Sequence, residues 1–191
     1  MTFSSPQVEE RFRQAFKYLN RFMVLMFRLG LGRWLQFWPR VTGQILVLSH
    51  QGRKSGLTRR TPLNFAFVDG DLYVLAGFGS VSDWYRNLKA NPRVEVWLPD
   101  GWWSAVAEER SDHPERLRIL RALLVGSGFA AYAFGIPPRT PDERLAELSA
   151  GYRLLRLQRT EAHTGPGGPG DLAWVWPLAA TFLLFRRRRP R

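Results

Sequence analysis

The residues best placed to do chemistry lie in one stretch, His50-Gln51-Gly52-Arg53-Lys54-Ser55-Gly56-Leu57-Thr58-Arg59-Arg60-Thr61-Pro62. Gly52 and Gly56 permit positive φ and close backbone approach. Arg53, Lys54, Arg59 and Arg60 surround them with cationic donors, and Ser55, Thr58 and Thr61 add hydroxyls. Successive N–H groups in such a turn form a nest for an anion, and arginine holds phosphate in a bidentate grip. The chemistry offered is recognition of a phosphate-bearing ligand. The same residues also serve as a plain, solvated basic hairpin.

A second constellation is Ala76-Gly77-Phe78-Gly79-Ser80-Val81-Ser82-Asp83-Trp84. Here a strand runs through a glycine-rich turn into a helix, whose free N–H groups suit an anion or the polar edge of a flavin-type ring. A simple turn uses the same glycines. Tyr132, between Gly128 and Gly135, has a hydroxyl suited to donate to an acceptor, or else is a packed loop tyrosine. The chain has no cysteine, which excludes disulfides, thiolate metal sites and cysteine nucleophiles. His50, His113 and His163 lack metal-ligand spacing, so no metal site is expected.

Strands must position these turns. Gln44 to Leu48 leads into the basic stretch and Leu63 to Val68 leads out. Asp69-Gly70 joins Val68 to a strand over Leu72–Ala76 as a type I′ hairpin. Val94–Leu98 and Trp102–Val106 flank Pro99-Asp100-Gly101, and Tyr152–Leu157 is the last strand. Six short strands predict a small closed barrel in an α+β fold with a mainly β core. Helices are expected from the cap Ser82, from Asp112, and from the capping box at Thr140-Pro141-Asp142-Glu143. At the N-terminus, Leu19, Phe22, Met23, Met26 and Phe27 follow the spacing of an amphipathic helix over Val8–Leu29, and Trp34, Leu35, Phe37 and Trp38 form an aromatic cluster after it. No secretory signal pattern is visible there.

Together these motifs resemble the deazaflavin-dependent nitroreductase family. Two carry the likeness in the right order: Gly52-Arg53-Lys54-Ser55-Gly56 with Arg60-Thr61-Pro62-Leu63, then Asp83-Trp84-Tyr85-Arg86-Asn87-Leu88-Lys89-Ala90-Asn91-Pro92. The likeness covers about residues 30–160. It implies a six-stranded split β-barrel that binds reduced coenzyme F420 and passes a hydride to an organic acceptor such as a quinone or a nitro compound. Carried over by position, Arg53, Lys54, Ser55, Gly56, Arg59 and Arg60 meet the coenzyme's phosphate end. Pro62, Ala76, Gly77, Trp84, Asn87 and Asn91 line its channel. Family members that activate nitro compounds tend to carry Ser and Lys where Gly77 and Phe78 stand here, so the acceptor is left open. The alternatives are a split barrel using FMN and a non-catalytic, membrane-surface protein binding a cofactor or lipophile.

Charge sets the expected partners. Of the net +12, residues 1–40 carry +5 and the arginines from Arg186 to Arg191 carry another +5, leaving +2 for residues 41–185. Cations beside apolar ends point to an anionic membrane surface, at the inner face of the cell membrane, and not to nucleic acid. The same ends also suit intramolecular or homodimer packing. The chain divides into an N-terminal helical segment (1–40), a barrel (41–160) and a Gly/Pro linker with an apolar, basic tail (161–191). The apolar run Leu172–Phe185 would span ~21 Å as a helix, short of a ~30 Å hydrocarbon core.

Overall fold

Ile45 to Leu48 is an unbroken apolar run because both faces of its strand are covered. In the computed structural model, which describes residues 6–36, 43–133 and 135–187, strand β1 (Ile45–Gln51) points Leu46 and Leu48 into a barrel. Ile45 and Val47 point outward, against the N-terminal helix α1 (Pro6–Arg28). Phe37, Trp38, Phe134 and Arg188 to Arg191 lie outside the described residues, as do the side chains of α1 before Lys17.

The other strands are β2 (Thr58–Val68), β3 (Asp71–Ala76), β4 (Arg93–Leu98), β5 (Gly101–Glu109) and β6 (Arg153–His163). Every pairing is antiparallel, and the order β1-β2-β3-β6-β5-β4 closes on itself. Leu46, Leu48, Val74, Val96 and Leu157 are among the side chains that fill the interior. Helix α2 (Asp83–Ala90) covers one mouth, adding Tyr85 and Leu88 to that core with Trp84 packed beside them. Helix α3 (Arg116–Gly126) lies outside, its Ile119 and Leu123 on Ala66, Val68 and Tyr73. The opposite side of α3 receives two short helices, α4 (Phe129–Ala133) and α5 (Asp142–Leu148). The last helix is α6 (Val175–Arg187).

Several boundaries differ from the sequence expectation. The basic stretch is mostly strand: Gln51 pairs with Thr58 and His50 with Arg59, so the turn itself is only the residues between them. Antiparallel pairing with β1 overrides the low strand preference of consecutive cations. Likewise β6 continues past Leu157 to His163, held by pairing with Trp102 and Trp103 of β5. Tyr132 belongs to α4 and not to a loop. Ser82 occupies the N-cap position of α2 without a side-chain cap bond. Thr140 does not open α5; Pro141 takes the cap position and the Thr140 hydroxyl donates to the Pro137 carbonyl at 2.7 Å. Helix α3 begins after Glu115, not at Asp112.

Candidate functional site

At the α2 mouth, the turn between β1 and β2 is closed by its own backbone. Gly52 N–H donates to the Leu57 carbonyl at 2.9 Å, and Gly56 N–H to the Gly52 carbonyl at 2.8 Å, with Gly56 at φ 65°. That conformation disfavours any side chain, which accounts for the second glycine. The turn is then fastened to α2. Arg53 N–H donates to Asn87 Oδ1 at 3.1 Å, and Arg53 Nη1 donates to the same oxygen at 3.0 Å and pairs with Asp83 at 2.9 Å.

Asn87 extends the connection inward. Because its Oδ1 faces two donors, its amide nitrogen must be the atom 3.3 Å from His50 Nδ1. Nδ1 therefore accepts, the imidazole is neutral, and its proton sits on Nε2, which donates to Thr61 Oγ1 at 3.1 Å. His50 and Asn87 are buried. Burial pushes His50 below the ordinary imidazole range; a backbone bond with Gln51 opposes this and Arg59 reinforces it. The folded chain thus resists a proton that the unfolded chain takes up below about pH 6.5. Stability is full above that pH and falls as pH drops toward the folded value. His50→Gln is expected to flatten this loss between pH 7 and 5, read as the urea midpoint at each pH; an unchanged slope would assign the loss to carboxylates.

The other expected site residues divide by face. Arg59 and Thr61 share the inward face with His50 and Leu48, whereas Arg60 and Pro62 lie opposite Ser49 and Val47 on the outer face. Arg60 stacks over the Trp97 ring, 4.7 Å from its centre. Asn91 ties α2 to β1, donating to Gln51 Oε1 at 3.1 Å. Among the described residues, Lys54 and Arg59 have no carboxylate partner, and Lys54, Ser55 and Arg59 are exposed. Tyr132 is exposed on α4, and no hydrogen bond among the described residues joins it to the basic turn or to α2.

The second glycine turn opens beside α2. Gly79, at φ 60°, sits so close to the Gly151 carbonyl that any Cβ there would collide with it. The space around Gly77 is open by the same test. At the start of α2, Ser82 Oγ is buried without a hydrogen-bond partner. On the far side of α2, Tyr85 donates to Glu109 Oε2 at 2.8 Å, and Lys89 and Ser111 also bind that carboxylate. Burial alone would raise Glu109; these three donors outweigh it and hold the group below the usual range. No sequence signal pointed to Glu109, whose partners are up to 24 residues away. A cleft of about 400 Å³ lies at the opposite mouth of the barrel, lined by Asp71, Leu72, Trp103 and Arg159, away from all of these groups.

A family model described as F420H(2)-dependent quinone reductase matches residues 21–137. The chain belongs to that family. It is an F420-dependent reductase, and its coenzyme is F420 in the reduced form. Solved structures with a similar chain include three of low identity. A conserved hypothetical protein from Mycobacterium tuberculosis is 19% identical, with 65% of this chain and 85% of that one covered and a TM-score of 0.46. An F420-H2 dependent reductase is 24% identical over 60% and 94%, TM-score 0.44. An FAD-binding protein from Mesorhizobium loti is 22% identical over 62% and 83%, TM-score 0.43.

The residues of the α2 mouth fit such a coenzyme. Unpaired Lys54 and Arg59 suit a polyanionic tail, the orphaned Ser82 hydroxyl lies at a helix start, and the open space at Gly77 leaves room for a ring.

Proposed function

We propose that this reductase uses a quinone as its hydride acceptor, with the coenzyme held at the α2 mouth of the barrel. The observation that carries the site is the fastening of the cationic turn to α2 through Arg53, Asn87 and His50. It sets the cationic turn beside the start of α2, which supports this reading. Lys54, Ser55, Gly56 and Arg59 hold the phosphate end. Ala76, Gly77, Trp84, Asn87 and Asn91 line the channel toward the ring. Arg53 acts through α2, because its Nη1 is already bound by Asp83 and Asn87. Arg60 and Pro62, on the outer face, add charge and shape without direct contact. Tyr132 is given no role.

The reduced coenzyme supplies a hydride, and the quinone takes up one proton with it to become a hydroquinone. The protein's own task is to orient the two rings and exclude water. The family description supports a quinone, and the exposed apolar surface of α6 suits delivery of a lipophilic acceptor. The protein is accordingly assigned to the cytoplasmic leaflet of the cell membrane, as a peripheral protein.

Cofactor and acceptor choice test this reading. Two free cations should favour the polyanionic tail of F420 over the single phosphate of FMN. Titration should give an F420 complex at least about tenfold tighter than the FMN complex, from one additional charge-assisted bond. With F420 bound, turnover of a menaquinone analogue should exceed that of a nitroimidazole. Stoichiometric FMN in the purified protein, or faster turnover of nitro compounds, would overturn the corresponding half.

A further inference from the structure

We propose that α6 is submerged in a single leaflet of an anionic membrane, lying along it with both ends returned to the headgroup layer. The helix lies outside the residues matched by the family model. Every residue from Trp176 to Phe185 is exposed. Trp176, Leu178, Phe182, Leu183, Leu184 and Phe185 stand at angles all around the helix, not along one stripe. A partner protein would cover one side and leave the rest in water. Lipid covers all of it.

The polar groups within the helix are already satisfied. Thr181 Oγ1 donates to the Pro177 carbonyl at 2.8 Å, and Trp176 Nε1 donates to the Leu29 carbonyl at 2.9 Å. No other polar side chain occurs from Val175 to Phe185. Nothing in this segment therefore demands water, which is the condition for placing a helix in hydrocarbon. Pro177 falls in the first turn, where its missing N–H breaks no internal bond.

Both ends must stay at the surface. At the base, Asp171 is gripped by Arg28 at 2.8 Å, and Gly170 and Leu172 N–H donate to the carbonyls of Phe27 and Arg28. Gly168 is pressed on the Trp102 ring so tightly that no Cβ would fit. The linker is thus laid against Trp102 and the end of α1, which holds the base of α6 there. At the tip the sequence carries Arg186 to Arg189 and Arg191. Asp171, the only acid after Glu161, is neutralised by Arg28. Anionic headgroups suit the arginine run that the sequence carries after the helix, and Trp174 is exposed at the base where aromatic residues favour the interface. No helix among the described residues is long and apolar enough to cross a membrane. A helix about 10–12 Å across does fit within one leaflet, about 15 Å of hydrocarbon. The outer stripe of α1, with Tyr18, Phe22 and Leu25 exposed beside Lys17 and Arg21, supplies a second contact from the same corner of the fold.

The chain has no cysteine, so single labels are clean. Full-length protein should float with vesicles of phosphatidylglycerol and phosphatidylcholine, and weakly with phosphatidylcholine alone. Phe182→Glu with Phe185→Glu, both at exposed positions, should lower the partition at least about tenfold, with F420 affinity and thermal midpoint unchanged. Polarity-sensitive labels on Leu178→Cys and Leu184→Cys should be quenched equally by acyl-chain nitroxides. Unequal depth would mean upright insertion and overturn the orientation. Failure to bind either vesicle, or a dimer in solution that the double variant dissolves, would overturn lipid as the occupant. The inference does not rest on the choice of quinone, since vesicle binding and F420 titration are separate readouts.

Discussion

Changing Lys54 and Arg59 together to alanine is expected to lower F420 affinity at least about a hundredfold at low salt. Each charge-assisted hydrogen bond lost removes roughly 1.5–3 kcal/mol, and two such losses compound. Both side chains stand exposed at the α2 mouth, and no carboxylate among the described residues takes up their donors. Because the contacts are solvent-exposed, the deficit should shrink as salt rises. Arg60→Ala is the internal control. It lies on the outer face over Trp97 and should change affinity several-fold at most. Fluorescence titration of F420 measures all three. An unchanged affinity in the double variant would make the turn a solvated hairpin tip.

Replacement of Asn87 by leucine should be the most damaging change near the site. The side chain is 6% exposed and serves Arg53 N–H, Arg53 Nη1 and His50 Nδ1 together. Leucine leaves a buried imidazole nitrogen and a backbone N–H without partners, each costing about 1–3 kcal/mol. A loss of roughly 2–6 kcal/mol in unfolding free energy is expected from these two groups alone, since Arg53 Nη1 keeps Asp83. Coenzyme affinity should fall with it, because the turn loses its inner fastening. Asn87→Asp separates the two roles. It keeps the acceptor for Arg53 but gives His50 no donor, and a carboxylate there favours the imidazolium. That variant should raise the His50 pKa, observable by NMR titration of its ring protons. If Asn87→Leu is as stable as the parent, the network is incidental and the turn is held by β1 and β2 alone.

Much of this protein was legible in its sequence because local rules and global fold agree. Asp69-Gly70 takes the left-handed conformations that a tight hairpin requires, with Asp69 at φ 52° and Gly70 at φ 85°. Six apolar segments of strand length became the six strands of a closed barrel. The motif from Asp83 to Asn91 became the helix that covers the barrel mouth. The paired motifs also pointed to the F420-dependent family to which the chain belongs.

What the sequence left undecided is which face each residue meets. Consecutive strand residues point in opposite directions, so Arg59 and Arg60, adjacent in the chain, end on opposite sides of β2. Spacing shows that alternation but not which side is the barrel interior. His50 stands in the basic stretch, but only the fold brings to it Asn87, 37 residues away, the donor that sets its tautomer. Glu109 had no signal at all, because Tyr85, Lys89 and Ser111 converge on it only when β5 passes α2. The Gly/Pro stretch after His163 read as a linker, with no signal for what it lies against. Its glycines allow close packing on Trp102 and on the end of α1, which holds the base of α6 there. Local residue types determined the elements and the chemistry available. Long-range contacts alone decided which donors, acceptors and charges remain free to meet a ligand.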